Sequence, residues 1–170
     1  MKKIFTTRFI TYAALIAALY TVLTLLAVIF PGVGTISYGP VQIRFSEALT
    51  ILPAFTPAAI PGLFLGCLIS NIVGVSMGLG AGLLDIIFGS LATLLAAYLS
   101  YLLRNKKWLV PLPPVIINAV VVGAILSYVL EIPLVATVLS VGLGQIGACY
   151  VLGMILYYVL DKNRNHIFKN

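Results

Sequence analysis

Charge is what this sequence has least of. Only 8% of its 170 residues are Asp, Glu, Lys or Arg, while 62% are hydrophobic. A soluble domain of this length has too much surface for its volume to hide so many apolar side chains, so a water-soluble globule is excluded. Histidine is nearly absent as well: His166 is the single one, and it sits in the C-terminal tail. No Cys/His or Ser/His pair can therefore form among the apolar segments, and no HExxH metal motif is present. Cys67 and Cys149 are the two cysteines. Both fall in apolar runs without a His or second Cys at ligand spacing, so they read as small hydrophobes rather than as a disulfide or metal pair. No glycine-rich loop closes on Gly-Lys-Ser/Thr, so the chain has no phosphate cradle for ATP. Glu47 and Asp85 could in principle form an acid–base pair, but Asp85 stands in Leu-Leu-Asp-Ile-Ile-Phe-Gly-Ser, without a strained catalytic turn. These absences leave no enzyme, no metal site and no cofactor to expect.

What is present is a series of long apolar segments. Their pattern predicts an all-α membrane protein, one compact bundle of six transmembrane helices, in a single domain over residues 1–170. The spans fall at about 9–30, 45–53, 58–75, 79–103, 114–130 and 134–160, with a loop over 31–44. Most approach the roughly 20 residues that cross 30 Å of hydrocarbon. The second, closed by Pro53, is too short to cross alone from Phe45, and nearly does so if Val41 to Arg44 continue it or if neighbours shield its ends. The first is too long and too uninterrupted before Pro31 to be a cleavable signal peptide and reads as a retained helix, capped by Thr6 or Thr7. Its alanines, Ala13, Ala14, Ala17 and Ala18, form two overlapping small-xxx-small registers that let helix backbones approach closely.

The net charge of +6 would suggest nucleic acid in a soluble protein. Here the basic residues cluster at the two chain ends and in the 104–107 loop. Positive-inside topology explains them better, with no nucleic-acid partner. An even number of spans puts all three clusters, and both termini, on the cytoplasmic side. The 31–44 loop, the start of the fourth span with Asp85, the end of the third with Asn71, and Glu131 then lie outside. Asn118 falls near the start of the fifth span.

The stretch from Tyr38 to Pro53 concentrates what polarity there is: Gln42, Arg44, Ser46 and Glu47 fall within six residues. A charge near the bilayer centre costs about 2.5–3.5 kcal/mol on insertion scales, so such residues face the bundle interior and find a partner or a ligand. One reading pairs Arg44 with Glu47 at i,i+3 and leaves Asp85 against water or a helix end. The other makes Glu47 and Asp85 a binding site near the outer face, with Arg44 orienting Glu47. Ionised carboxylates are acceptor-only, so such a site suits a cationic or donor-rich ligand and disfavours anions. Tyr38 and Phe45 read either as interface or packing aromatics or as rings that stack on a planar ligand. The chain has no internal repeat of the kind that carriers rock against each other, so a container like this needs a partner to open it.

Three motifs carry a resemblance: Gly-Pro-Val-Gln-Ile-Arg-Phe-Ser-Glu-Ala-Leu-Thr-Ile-Leu-Pro over 39–53, Pro-Ala-Ala-Ile-Pro-Gly-Leu over 57–63, and Gly-Leu-Leu-Asp-Ile-Ile-Phe-Gly-Ser-Leu-Ala-Thr over 82–93. Trp-Leu-Val-Pro-Leu-Pro-Pro over 108–114 and Val-Gly-Leu-Gly-Gln over 141–145 extend it. With these the chain resembles the QueT-type queuosine-precursor S components of energy-coupling-factor (ECF) transporters. The resemblance implies a multi-pass protein of the bacterial plasma membrane that captures a 7-deazaguanine such as preQ1 or queuine. It implies three partners: a coupling transmembrane subunit and two cytoplasmic ATPases. The 31–44 loop would close over substrate, the alanines of the first helix would dock to the coupling subunit, and ATP hydrolysis in the partners would topple the whole chain. Substrate would be held by Tyr38, Gln42, Arg44, Glu47, Asn71, Asp85 and Gln145. The family pattern favours Glu where this chain has Gln145, which changes the charge offered to substrate. Other readings are an S component for another vitamin or cofactor precursor, a stand-alone small carrier using Asp85, and a membrane assembly protein without a ligand.

Overall fold

The structure, a computed structural model, describes residues 6–29 and 44–164. Among these it is all helical. Helix α1 spans Thr7–Ile29. Thr6 opens it, its Oγ1 accepting from the N–H of Phe9 at 3.4 Å, the side-chain capping bond its position predicts. Helix α2 spans Phe45–Ala54, α3 Ala59–Ser76, α4 Asp85–Leu102, α5 Leu112–Leu130 and α6 Leu134–Lys162. All but α2 are long and apolar enough to cross a membrane, which makes the chain a multi-pass membrane protein. Large exposed side chains such as Leu15, Leu19, Leu91, Leu95, Leu139 and Leu143 fit lipid, not water.

The five long helices pack in the order α1, α3, α4, α5, α6, each mainly on its neighbour. Helix α2 packs against α6, α1, α4 and α3, so it is enclosed by the others. That position explains its form. It winds as a 3-10 helix over 10 residues, far beyond the usual three or four. A 3-10 rise of about 2 Å per residue stretches 10 residues to about 20 Å, against about 15 Å as an α-helix. Eight of its ten residues are buried. Packing on every side overrides the poorer hydrogen-bond geometry.

The sequence pattern places the fourth helix from about residue 79, whereas it begins at Asp85. Gly78, Gly80 and Gly82 have φ of 76°, 79° and 69°, a left-handed conformation that breaks a helix. Residues 79–84 are therefore mostly turn. Its first five residues, Asp85–Gly89, form a π-turn before the regular helix Ser90–Leu102. Helix α6 holds a second π segment, Ile146–Leu152, directly after Gln145. Helix α5 starts on Pro113 and Pro114, where a first turn needs no N–H donors, and ends at Glu131 with φ 55° ahead of Pro133.

Helices α1 and α3 approach each other closely. A Cβ at Gly62 would lie 2.8 Å from the carbonyl of Ala13, and one at Gly66 would lie 2.9 Å from that of Ala17. Ala13 and Ala17 are thus consumed in packing inside the chain, while Ala14 and Ala18 stay on the outer face of α1. The main core joins Ile16 and Tyr20 of α1, Ile51 of α2, Leu63 and Cys67 of α3, and Met154 and Tyr157 of α6.

Candidate functional site

Polar side chains from every helix meet above this core. Between residues 9 and 103 the only charged residues are Arg44, Glu47 and Asp85. All three are at least 96% buried. The extended residue Arg44 immediately precedes α2 and delivers its guanidinium to α4, where Nη2 lies 3.5 Å from Asp85 Oδ2. The ion pair therefore bridges 41 residues of sequence. The i,i+3 carboxylate Glu47, expected as its partner, takes other donors.

Glu47 Oε1 accepts from Tyr20 Oη at 2.5 Å, and Oε2 accepts from Asn118 Nδ2 at 3.2 Å. The same Asn118 amide reaches Gln145 Oε1 at 3.4 Å. The Cys149 thiol also donates to Gln145 Oε1, at 3.4 Å. Thr50 Oγ1 donates to the Glu47 carbonyl at 2.6 Å, which anchors the 3-10 turn beneath the carboxylate. Beside it, Thr24 Oγ1 meets Ser46 Oγ at 2.7 Å and pins α2 to α1. These bonds form one of two corners. Asn118 lies six residues into α5, about 9 Å along its axis.

The other corner is built around Asp85. Asn71 Nδ2 donates to the Asp85 carbonyl at 2.9 Å and touches Cys67 Sγ at 3.5 Å. Thr93 Oγ1 holds the same sulfur at 3.3 Å. Gly89, at the end of the π-turn, leaves its Cα bare under this corner. A methyl there would sit 2.8 Å from Asp85 Oδ1 and 3.3 Å from Asn71 Nδ2. The missing side chain lets the Asp85 carboxylate fold back along its own helix.

Among the described residues, four buried side-chain oxygens have no hydrogen-bond partner: Asn71 Oδ1, Asp85 Oδ1, Ser90 Oγ and Asn118 Oδ1. An unmet buried acceptor costs about 1–3 kcal/mol, so four in one region are rarely structural. Three are acceptor-only atoms of amides or a carboxylate. Together they ask for a small molecule rich in N–H donors. No set of His, Cys, Asp and Glu among the described residues could hold a metal ion.

Of the residues expected from sequence, Arg44, Glu47, Asn71, Asp85 and Gln145 all lie in this cluster and are buried. Tyr38 and Gln42 fall outside the described residues. Sequence reasoning missed Tyr20, Ser90 and the role of Asn118. Asn118 carried a signal, an amide inside an apolar span, which is costly without a partner. Tyr20 carried none, because an aromatic among small residues reads as packing.

A family model described as QueT transporter matches residues 10–162. The queuosine precursor transporter QueT of Lactococcus lactis is 38% identical over 106 residues, 62% of this chain and 56% of that protein. The chain thus matches just over half the length of that relative. No solved structure matches it.

Proposed function

The chain belongs to the QueT transporter family, and on that premise we propose that it is the substrate-capture (S) component of an ECF-type importer for a 7-deazaguanine. The observation that carries this reading is the set of four unpartnered buried oxygens around two carboxylates. A guanine-type edge presents two adjacent N–H donors, which suit acceptors such as Asp85 Oδ1 and Asn71 Oδ1. An aminomethyl arm adds a cation for the second carboxylate. Gln145 supports Asn118, and Tyr20 fixes Glu47. Tyr38 and Gln42, which lie outside the described residues, are proposed as further substrate contacts.

The termini face the cytoplasm in this reading. Supporting it, the basic residues of the 104–107 loop and the end of α6 stand among interfacial aromatics: Arg104 lies 4.2 Å from the Tyr101 ring and Lys107 5.2 Å from the Tyr158 ring. Substrate then enters at the opposite end, where Asn71 and Asp85 close α3 and open α4. The chain carries no ATP-binding loop, so energy comes from partners: a coupling transmembrane subunit and two cytoplasmic ATPases, which topple the whole bundle. The face of α1 with Ala14 and Ala18 is the docking surface for the coupling subunit. Ala13 and Ala17 are spoken for by α3.

Reconstitution tests the division of labour. Proteoliposomes holding this chain alone should accumulate no labelled 7-aminomethyl-7-deazaguanine. Those holding it with coupling subunit, ATPases and internal ATP should. Uptake by the chain alone would replace the S-component reading with that of a stand-alone carrier using Asp85.

A further inference from the structure

The two corners of the site differ in charge balance. Arg44, Glu47 and Asp85 sum to a formal charge of −1, and the rest of the chain between residues 9 and 103, the undescribed 30–43 included, has no other charged residue. The guanidinium sits with Asp85, at 3.5 Å. Among the described residues, the hydrogen bonds to the Glu47 carboxylate come from neutral donors, the Tyr20 hydroxyl and the Asn118 amide. Arg44 also acts on Glu47 at longer range, but among the described residues no cation pairs with that carboxylate directly, so in a medium of low dielectric constant the excess negative charge is weighted towards Glu47.

We infer that the site holds its ligand in one orientation, with the uncharged purine edge against Asp85 and Asn71 and the ammonium of the arm against Glu47. This rests on the reading of the cluster as a 7-deazaguanine site. Three observations set the direction. An ammonium beside Asp85 would face the Arg44 guanidinium, a like charge in direct contact with that carboxylate, whereas beside Glu47 it meets a carboxylate with no direct ion-pair partner among the described residues. The Asp85 corner offers two unpartnered acceptor oxygens, Asp85 Oδ1 and Asn71 Oδ1, for the paired N–H donors of the purine edge. At the Glu47 corner the unpartnered Asn118 Oδ1 adds a further acceptor for the three protons of an ammonium. Asp85 therefore reads the base, and Glu47 reads the charge of the arm.

Two probes that share the guanine edge and differ in the arm test this: 7-aminomethyl-7-deazaguanine, a cation, and 7-cyano-7-deazaguanine, which is neutral. Affinities of both are measured by calorimetry on the full chain in detergent or nanodiscs. Each variant is scored by the ratio of the two affinities within one preparation, so incomplete folding cancels. The wild-type chain should prefer the cation by about tenfold or more. Glu47→Gln should reduce that preference to roughly twofold or less by weakening the cation alone. Glu47→Asp, which keeps the charge, should retain it. Asp85→Asn should weaken both probes together and leave the ratio unchanged. A ratio lost in Asp85→Asn and kept in Glu47→Gln would overturn the orientation while leaving the capture function intact. A wild-type chain that binds neither probe would overturn both.

Discussion

At the residue scale, the site depends on where oxygen atoms are left without donors. Gly89 is the clearest case, because its bare Cα is what lets the Asp85 carboxylate lie beside Asn71. The atom that a new methyl would meet first, Asp85 Oδ1, is the end of a flexible side chain, so the backbone can stand while the carboxylate moves. Ala also favours a helix over Gly by about 1 kcal/mol. Gly89→Ala should therefore leave the melting temperature unchanged or raised and weaken 7-deazaguanine binding by about tenfold. Thermal unfolding and calorimetry on the same preparation check the pair; a lowered melting temperature with normal affinity would contradict it. Tyr20→Phe removes a short hydrogen bond to a buried carboxylate, a contact worth about 1.5–3 kcal/mol. The ligand-free protein should lose about that much stability in denaturant titration.

At the element scale, α1 has two faces, to which the proposed function gives separate tasks. The inner one is packed against glycines of α3, and the outer one is free of other helices. Gly66→Leu would force a side chain into the Ala17 carbonyl and the Tyr20 Cβ, 2.9 and 2.7 Å from where its own Cβ must stand. Overpacking of that kind costs about 1–3 kcal/mol, so the melting temperature should fall, and binding should fall with it because Tyr20 moves. Ala14→Leu combined with Ala18→Leu should do the reverse: normal stability and normal binding, with uptake lost in vesicles that contain the partner subunits. The alanine spacing was legible in the sequence as two overlapping registers. Which register faces inward was not, because that is set by Gly62 and Gly66, more than 40 residues away. The same limit applies to α2. Its ends at Phe45 and Pro53 could be read, but not its 3-10 winding, which answers to the helices around it. At α4 the glycines were visible, and their positive φ pushed the helix start to Asp85.

At the scale of the whole molecule, apolar length and charge placement gave the bundle and the meeting of Glu47, Asp85, Asn71 and Arg44. They did not give the pairing. Arg44 and Glu47 are neighbours on one turn, yet the guanidinium crosses to Asp85, a choice that depends on how α4 docks and not on sequence spacing. The topology has its own test. Cys67 and Cys149 are buried, so the native chain is nearly silent to polar thiol reagents. Lys106→Cys should react with an impermeant maleimide only from the cytoplasmic side and Glu131→Cys only from outside. Labelling of both from one side would contradict the proposed topology, in which α5 crosses between them.

The central claim is that this chain by itself captures a 7-deazaguanine between two buried carboxylates. Isothermal titration of the purified chain with 7-aminomethyl-7-deazaguanine tests it most directly, run beside the Glu47→Gln, Asp85→Asn double variant. The prediction is saturable one-to-one binding to the wild-type chain without any partner subunit, and no measurable binding to a double variant that still elutes as a folded, monodisperse protein. Undiminished binding to that variant would contradict it.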